Sequence, residues 1–435
     1  MSAFEPVRYT ALTDVGVKRS HNQDACAVQP AVDAVAYEAN GHVFVVADGM
    51  GGHAVGEKAS AKAVRDIPFL YLKHVREGIC NALRKAFVET NAGIHSIGEE
   101  NPEFRGLGTT GTALVLRPEG AWVGHVGDSR CYRIRDGQAE QLTFDHSWVW
   151  EIARRQGVDP DELGDFKKNV IIRSLGPDAE VEVDVEGPHP LQPGDTFLLC
   201  SDGLTGVVTP QEVGVIVTAM PTDDAARLLV HLANLRGGPD NITVLIVRVP
   251  GGAASDDSDR KASRPGILRR AFVAWNRLIP WPYTALGCGS LIALISLALR
   301  MSEAPGSVPL FLFAAVIILA GLVGLVLDVK KEPSDDSQTQ DDKPRTLNIY
   351  KKHDCAITTA VAEKFAQIET ELAAGMKGHD IPADWDAHEK LVLAVEKAGK
   401  PDSIPAFRAR CDSLLFLAEA FHKSRHKGES FRPNW

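Results

Sequence analysis

Val43-Phe44-Val45-Val46-Ala47-Asp48-Gly49-Met50-Gly51-Gly52-His53 is an apolar run, rich in β-branched side chains, that stops abruptly in Asp-Gly and further small residues. It reads as a buried strand emptying into a glycine-rich turn. A carboxylate at the end of such a strand is held by rigid scaffold yet reaches solvent, and the glycines let a ligand approach the backbone. The same device recurs down the chain. Trp122-Val123-Gly124-His125-Val126-Gly127 precedes Asp128-Ser129-Arg130, and Thr196-Phe197-Leu198-Leu199-Cys200-Ser201 precedes Asp202-Gly203. Gly237-Gly238-Pro239-Asp240-Asn241 leads into the strand-like run 242–247, and Arg19-Ser20-His21-Asn22-Gln23-Asp24 adds a fifth acidic turn. Any one of these Asp residues could simply shape its turn. Five in order point to a shared site.

The 435 residues allow two or three domains, and an apolar content of 44% is ample for a core. A formal charge of -10 argues against nucleic acid as a partner, because phosphate-backbone affinity needs a basic face. The seven cysteines are scattered, without a Cys-x-x-Cys pair or zinc-ligand spacing, and read as reduced thiols. Residues 1–9 lack a basic segment followed by an apolar one, so no cleaved signal peptide is expected.

Residues 8–250 read as one mixed α and β block. Strand-like runs such as 111–116 alternate with helix-like segments at 58–75 and 79–97, whose core faces are Ala59, Ala63, Ile67 and Leu70, then Ile79, Leu83, Phe87 and Ile94. A small, acidic linker occupies 251–265 and an amphipathic, interfacial helix is expected over 266–278. Two uncharged stretches, 279–299 and 304–327, are each long enough to cross a bilayer as a helix, for which about 20 residues suffice. Lys261, Arg264, Arg269, Arg270 and Arg277 before them and Lys330 and Lys331 after them put both flanks on the cytoplasmic side. The expectation is thus a multi-pass protein of the cell (inner) membrane, partnered by the lipid bilayer, with the block and the tail both cytoplasmic. A second linker spans 330–346, and 347–435 reads as a small all-α domain with three amphipathic helices.

The five turn carboxylates, with Asn22 and Asn241 nearby, offer oxygen donors without the His and Cys that zinc favours, so the implied metal is Mg²⁺ or Mn²⁺. Unpaired carboxylates repel, and their convergence needs cations to offset the repulsion.

The ordered set resembles the metal-dependent protein phosphatase family, the type 2C Ser/Thr phosphatases, over residues 8–249. It rests on Arg19-Ser20-His21-Asn22-Gln23-Asp24, Val46-Ala47-Asp48-Gly49-Met50-Gly51-Gly52-His53, Gly106-Leu107-Gly108-Thr109-Thr110, Val126-Gly127-Asp128-Ser129-Arg130, Leu199-Cys200-Ser201-Asp202-Gly203-Leu204 and Asp240-Asn241-Ile242-Thr243. The resemblance implies an α+β fold, a four-layer αββα sandwich of two antiparallel sheets flanked by helices, here followed by the membrane hairpin and the helical tail. It implies a two-metal centre in which Asp48 bridges both ions, the Gly49 carbonyl, Asp202 and Asp240 complete the shells directly or through water, and Asp24 joins through a metal-bound water. Asp128 matches the carboxylate for a third, weaker metal, and Arg19 matches the phosphate-binding guanidinium. The catalytic set is then Arg19, Asp48, Asp202 and Asp240, with Arg19 and His53 toward substrate.

Two cations about 3.5 to 4 Å apart lower the pKa of a shared water and align it with phosphorus. Met50 stands where some family members carry a His as general acid, which leaves the acid unassigned and favours water as the proton source. Residues 142–176 match the family's flap, with Asp145-His146-Ser147 at its start and Arg173-Ser174-Leu175-Gly176 at its end. Asp161 and Asp165 read better as a solvated acidic turn than as metal ligands. The function implied is a membrane-tethered Ser/Thr phosphatase acting on phosphoproteins, a Ser/Thr kinase among them. The alternatives are a catalytically silent module of the same fold or a membrane scaffold whose tail matters most; an intact set of carboxylates argues against silence.

Overall fold

The computed structural model describes residues 7–51, 55–156, 158, 160–163, 170–250 and 351–425, with scattered positions between 290 and 315. Strands β1 (Arg8–Asp14), β2 (Asp24–Gln29) and β3 (His42–Met50) come first, with helix α1 (Ala34–Asn40) before β3. Helices α2 (Val55–His74) and α3 (Ile79–Glu100) follow, then β4 (Gly108–Thr109), β5 (Gly111–Arg117), β6 (Gly120–Val126), β7 (Arg130–Arg135) and β8 (Gln138–Gln141). After α4 (Trp148–Gln156) come β9 (Asp184–His189), β10 (Thr196–Cys200), the short α5 (Asp202–Thr205), α6 (Pro210–Ala219), α7 (Thr222–Leu235) and β11 (Ile242–Arg248). The tail adds β12 (Lys352–Asp354), α8 (Thr359–Gly378), α9 (Trp385–Lys397) and α10 (Ile404–Arg425).

One sheet runs β1-β11-β10-β7-β8-β12 and the other β2-β3-β5-β6-β9, with β4 on β3; the pairings are antiparallel. The period of two in the strands decides which residue meets which layer. Phe44 and Val46 of β3, Leu199 of β10 and Leu245 of β11 point between the sheets. Their neighbours Val43, Val45 and Ala47 face outward onto Ala63, Ile67 and Tyr71 of α2 and Leu83 and Phe87 of α3. Leu198, Val244 and Ile246 face the other way onto Val213, Leu228 and Leu229 of α6 and α7. Two antiparallel sheets flanked by helices are thus what the family resemblance implied, and both core helices expected from the apolar periodicity form.

The tail does something its periodicity could not reveal. It forms one compact unit with residues 1–252. Strand β12 pairs with β8, Lys352 opposite Glu140, and extends the sheet. Val361 and Phe365 of α8 and Phe407, Cys411 and Leu414 of α10 join the cluster built on α6 and α7. Gly214 makes room for this, since a Cβ there would sit 2.1 Å from the Cys355 sulfur. An amphipathic stripe shows that a face is buried, not against what.

The expected membrane placement is overturned. Among the described residues no helix is long and apolar enough to cross a membrane. The longest, α3 and α10 with 22 residues each, carry Arg84, Lys85 and Glu89, and Arg408, Arg410 and Asp412. The interfacial helix expected over 266–278, and apart from scattered positions the spans expected over 279–299 and 304–327, lie outside the described residues, as do both linkers. With the spanning helices goes the multi-pass localisation.

Candidate metal centre

Because the strands are antiparallel, the C-terminal ends of β3, β6 and β10 and the N-terminal ends of β2 and β11 lie together at one end of the sandwich. Those are the places where Asp48, Asp128, Asp202, Asp24 and Asp240 stand. Asp24 and Asp48 are directly opposite in the β2–β3 register. Like-charged side chains in that relation are destabilising unless something offsets them.

Hydrogen bonds and close backbone packing hold Asp48, Asp24 and the Asp202 turn. The Asp48 N–H donates to Thr110 Oγ1 at 2.8 Å, and the Asp48 carbonyl accepts from Thr109 Oγ1 at 2.9 Å and from the Thr110 N–H at 2.8 Å. Gly49 lies so close to Gly56 that a Cβ would come within 2.2 Å of its carbonyl oxygen. Ser201 Oγ donates to Asp24 Oδ2 at 2.6 Å, and the same hydroxyl accepts from the Thr243 N–H at 2.9 Å. Gly203 lets the Asp202 turn lie against the Asp240–Asn241 turn, since a Cβ there would be 1.9 Å from the Asn241 carbonyl oxygen.

The electrostatics are those of an anionic cluster short of counter-charge. Burial pushes Asp24 up to about 7, with Asp202 and Asp240 adding repulsion. Burial, then the charges of Asp24, Asp202, Asp128 and Asp240, raise Asp48 well above the usual carboxylate range. Burial and Asp202 push Asp128 up to about 8, and burial and Asp240 raise Asp202. Oδ1 of Asp24, of Asp128 and of Asp202 are each buried without a hydrogen-bond partner. Buried orphan acceptors are costly and call for a ligand. Among the described residues no three His, Cys, Asp or Glu side chains already stand close enough together to hold a metal ion. The donor set is nonetheless all oxygen, and the orphaned atoms are what a hard divalent cation would satisfy.

Arg19 sits on the rim, half exposed, with Nη2 2.6 Å from Asp240 Oδ2. Its loop is tied down by Asn241, whose side chain donates to the Val15 and His21 carbonyls at 2.9 and 3.0 Å and accepts from the Gln23 N–H at 2.8 Å. Asn22 is likewise spent, donating to Thr13 Oγ1 and accepting from the Asp24 N–H. The two amides that the sequence offers as metal donors are therefore loop anchors.

Behind Asp128 lies a buried network that spacing did not reveal. His146 Nδ1 accepts from the Gly127 N–H at 3.0 Å, and the His146 main-chain N–H donates to the Gly127 carbonyl at 2.7 Å. His146 Nε2 lies 3.1 Å from Asp184 Oδ2, and Arg173 Nη1 lies 3.1 Å from Asp184 Oδ1. Asp184, distant in sequence and outside every acidic turn, carried no signal. His53 and Asp165 lie outside the described residues, as does the side chain of Asp161.

A family model described as Protein phosphatase 2C matches residues 17–227. Protein phosphatase PhpP of Streptococcus pneumoniae is 38% identical over 242 residues, which make up 54% of this chain and 95% of that protein. Serine/threonine phosphatase stp of Listeria monocytogenes is 38% identical over 241 residues, 54% of this chain and 93% of the relative. The solved serine/threonine phosphatase PstP/Ppp of Mycobacterium tuberculosis is 30% identical with a TM-score of 0.51, covering 57% of this chain and 100% of that one. Given a sandwich that gathers Asp24, Asp48, Asp128, Asp202 and Asp240 at one end, and relatives matched over nearly their whole length, this chain belongs to the protein phosphatase 2C family.

Proposed function

We propose that the acidic end of the sandwich is the active site of a metal-dependent protein-serine/threonine phosphatase, hydrolysing phosphoserine and phosphothreonine in phosphoproteins and so reversing a Ser/Thr kinase. The observation that carries this is the trio of buried, partnerless Oδ1 atoms of Asp24, Asp128 and Asp202 beside a cationic Arg19. Such a place suits divalent cations and, next to them, a dianionic phosphate.

Two Mn²⁺ or Mg²⁺ ions are the cofactor; when bound they supply Lewis acidity and an activated water. Asp48, Asp202, Asp240 and the Gly49 carbonyl would hold them, Asp24 would support them from β2, and Asp128 would suit a third, weaker ion. Thr109 and Thr110 fix the Asp48 main chain, which keeps its carboxylate from drifting as charge in the site changes. Arg19 presents a planar fork that takes two phosphate oxygens and neutralises charge on them. Its present partner Asp240 is the group it would share once phosphate arrives.

The test is phosphate release from phosphoserine and phosphothreonine peptides by the full chain. Release is expected with Mn²⁺ and is lost with chelator; a chain equally active with excess chelator contradicts the proposal. Arg19→Ala should lower kcat/KM roughly 10- to 100-fold, the worth of one charged hydrogen-bonding partner. Wild-type kcat/KM in that variant removes Arg19 from phosphate binding.

A further inference from the structure

The relatives above are matched over nearly all of their own length by about half of this chain, so the docked helical tail is an addition to what they contain. Its last helix ends at a telling place. Ala418, Phe421 and His422 of α10 face Gly16 and Val17 across a cavity of about 200 Å³ whose walls are His231, Asn234 and Leu235 of α7. Gly16 and Val17 begin the loop that carries Arg19, and α7 runs through Gly237 and Gly238 into Asp240.

The hydrogen bonds at this junction join the pieces. Val17 and Lys18 N–H both donate to the Gly238 carbonyl, at 2.9 and 3.1 Å. Asp14 Oδ1 accepts from the Gly16 N–H at 2.8 Å and from Asn234 Nδ2 at 3.1 Å. A Cβ on Gly16 would lie 2.2 Å from the Asp240 carbonyl oxygen, so the two loops are stacked backbone on backbone. Helix α10 grips α7 on the same side: the His231 and His422 rings are 5.2 Å apart edge to face, and Arg227 pairs with Glu419.

The geometry points to α10 as an intramolecular clamp that sets the two loops meeting at the Arg19–Asp240 ion pair, with Phe421 and His422 as positioning residues for phosphate engagement. This rests on the role given to Arg19 above. Packed elements of this kind shift an equilibrium between discrete arrangements without touching the ligand. Release of the clamp costs phosphate affinity, because Arg19 must then be ordered by the substrate itself.

The test uses the full chain and the variants Phe421→Ala, His422→Ala and Phe421→Leu. Phe421→Ala and His422→Ala are each expected to raise KM for a phosphothreonine peptide and the inhibition constant of inorganic phosphate together, by about 3- to 10-fold, with kcat within about twofold. Phe421→Leu, which refills the cavity edge, restores both and serves where the alanine variant folds poorly. Amide exchange at Val17 and Lys18 reports the mechanical link independently of chemistry and should quicken in both alanine variants. In an Arg19→Ala background, Phe421→Ala should add nothing further to KM. Unchanged exchange at Val17 and Lys18 overturns the clamp, as does quickened exchange with wild-type KM and phosphate inhibition. A wild-type KM in Arg19→Ala alone overturns instead the role of Arg19, and with it the clamp's catalytic purpose.

Discussion

Asp48→Asn, Asp202→Asn and Asp240→Asn are each expected to cut turnover by roughly 10³-fold or more, about 4 kcal/mol of lost transition-state stabilisation. The amide has nearly the same volume but no formal charge, so it keeps the packing and gives up the affinity for a divalent cation. Folding should survive the change. Asp48 and Asp202 are buried among like charges: Asp48 is opposed by Asp24, Asp202, Asp128 and Asp240, and Asp202 repels Asp24 and Asp128. In the absence of metal the Asp48→Asn and Asp202→Asn variants should therefore melt at or above the wild-type temperature while being nearly inactive, whereas Asp240→Asn also gives up the ion pair with Arg19. Wild-type turnover at saturating Mn²⁺ in any one of them removes that residue from the centre.

Gly203→Ala should be as damaging by a different route. The added methyl would meet the Asn241 carbonyl oxygen at 1.9 Å, and main chain cannot swing aside as a flexible side chain does. The Asp240–Asn241 turn must move, and both consequences follow from it. Asp240 leaves its place, and Asn241 loses its grip on the Val15 and His21 carbonyls. A stability loss of about 1–3 kcal/mol is expected from the overpacking, together with activity reduced about 100-fold. Calorimetric melting and phosphopeptide hydrolysis measure the two. Near-wild-type values for both mean that the turns are not in close apposition.

What the chain declared in advance, and what it did not, divides along physical lines. Strand ends such as Val46-Ala47-Asp48-Gly49 were legible because a β-branched run with a period of two can face both a core and a helix layer, and Asp-Gly marks its approaching end, two residues before β3 stops at Met50. Local pattern thus located Asp48, Asp128 and Asp202. It could not say that Asn241 spends its amide on the Val15 and His21 carbonyls, more than 200 residues away, or Asn22 its amide on the Thr13 hydroxyl, because partners outside the turn leave no trace in it. Asp184 was silent for the same reason: it matters through His146 and Arg173, which reach it across the fold. The tail helices were legible as amphipathic stripes, yet Phe365 and Phe407 gave no sign that they pack at 5.0 Å on one another within the core of the α6–α7 layer. The spans expected at 279–299 and 304–327 came from apolar length alone, and no described helix has both the length and the apolarity to cross a bilayer.

The central claim, that converging Asp residues make a cation site, is tested most directly by melting the full chain with chelator and with Mn²⁺ at two pH values. The raised carboxylates fix the sign. Below about pH 4 they are protonated folded or unfolded and cost nothing; as pH climbs toward their folded values the unfolded chain ionises first, and the metal-free fold loses stability. Glu212, buried yet held down to about 2 by hydrogen bonds from Arg236 and Lys364, contributes alike with and without metal, so the difference between the two curves isolates the site. Mn²⁺ should raise the melting temperature by several degrees, about 2.7 kcal/mol of stabilisation per site at a hundredfold excess over Kd. The rise should be larger near about pH 8 than near about pH 5.5, where protons compete with the cation. Superimposable melting curves with chelator and with millimolar Mn²⁺ at about pH 8 would contradict a metal centre at this end of the sandwich.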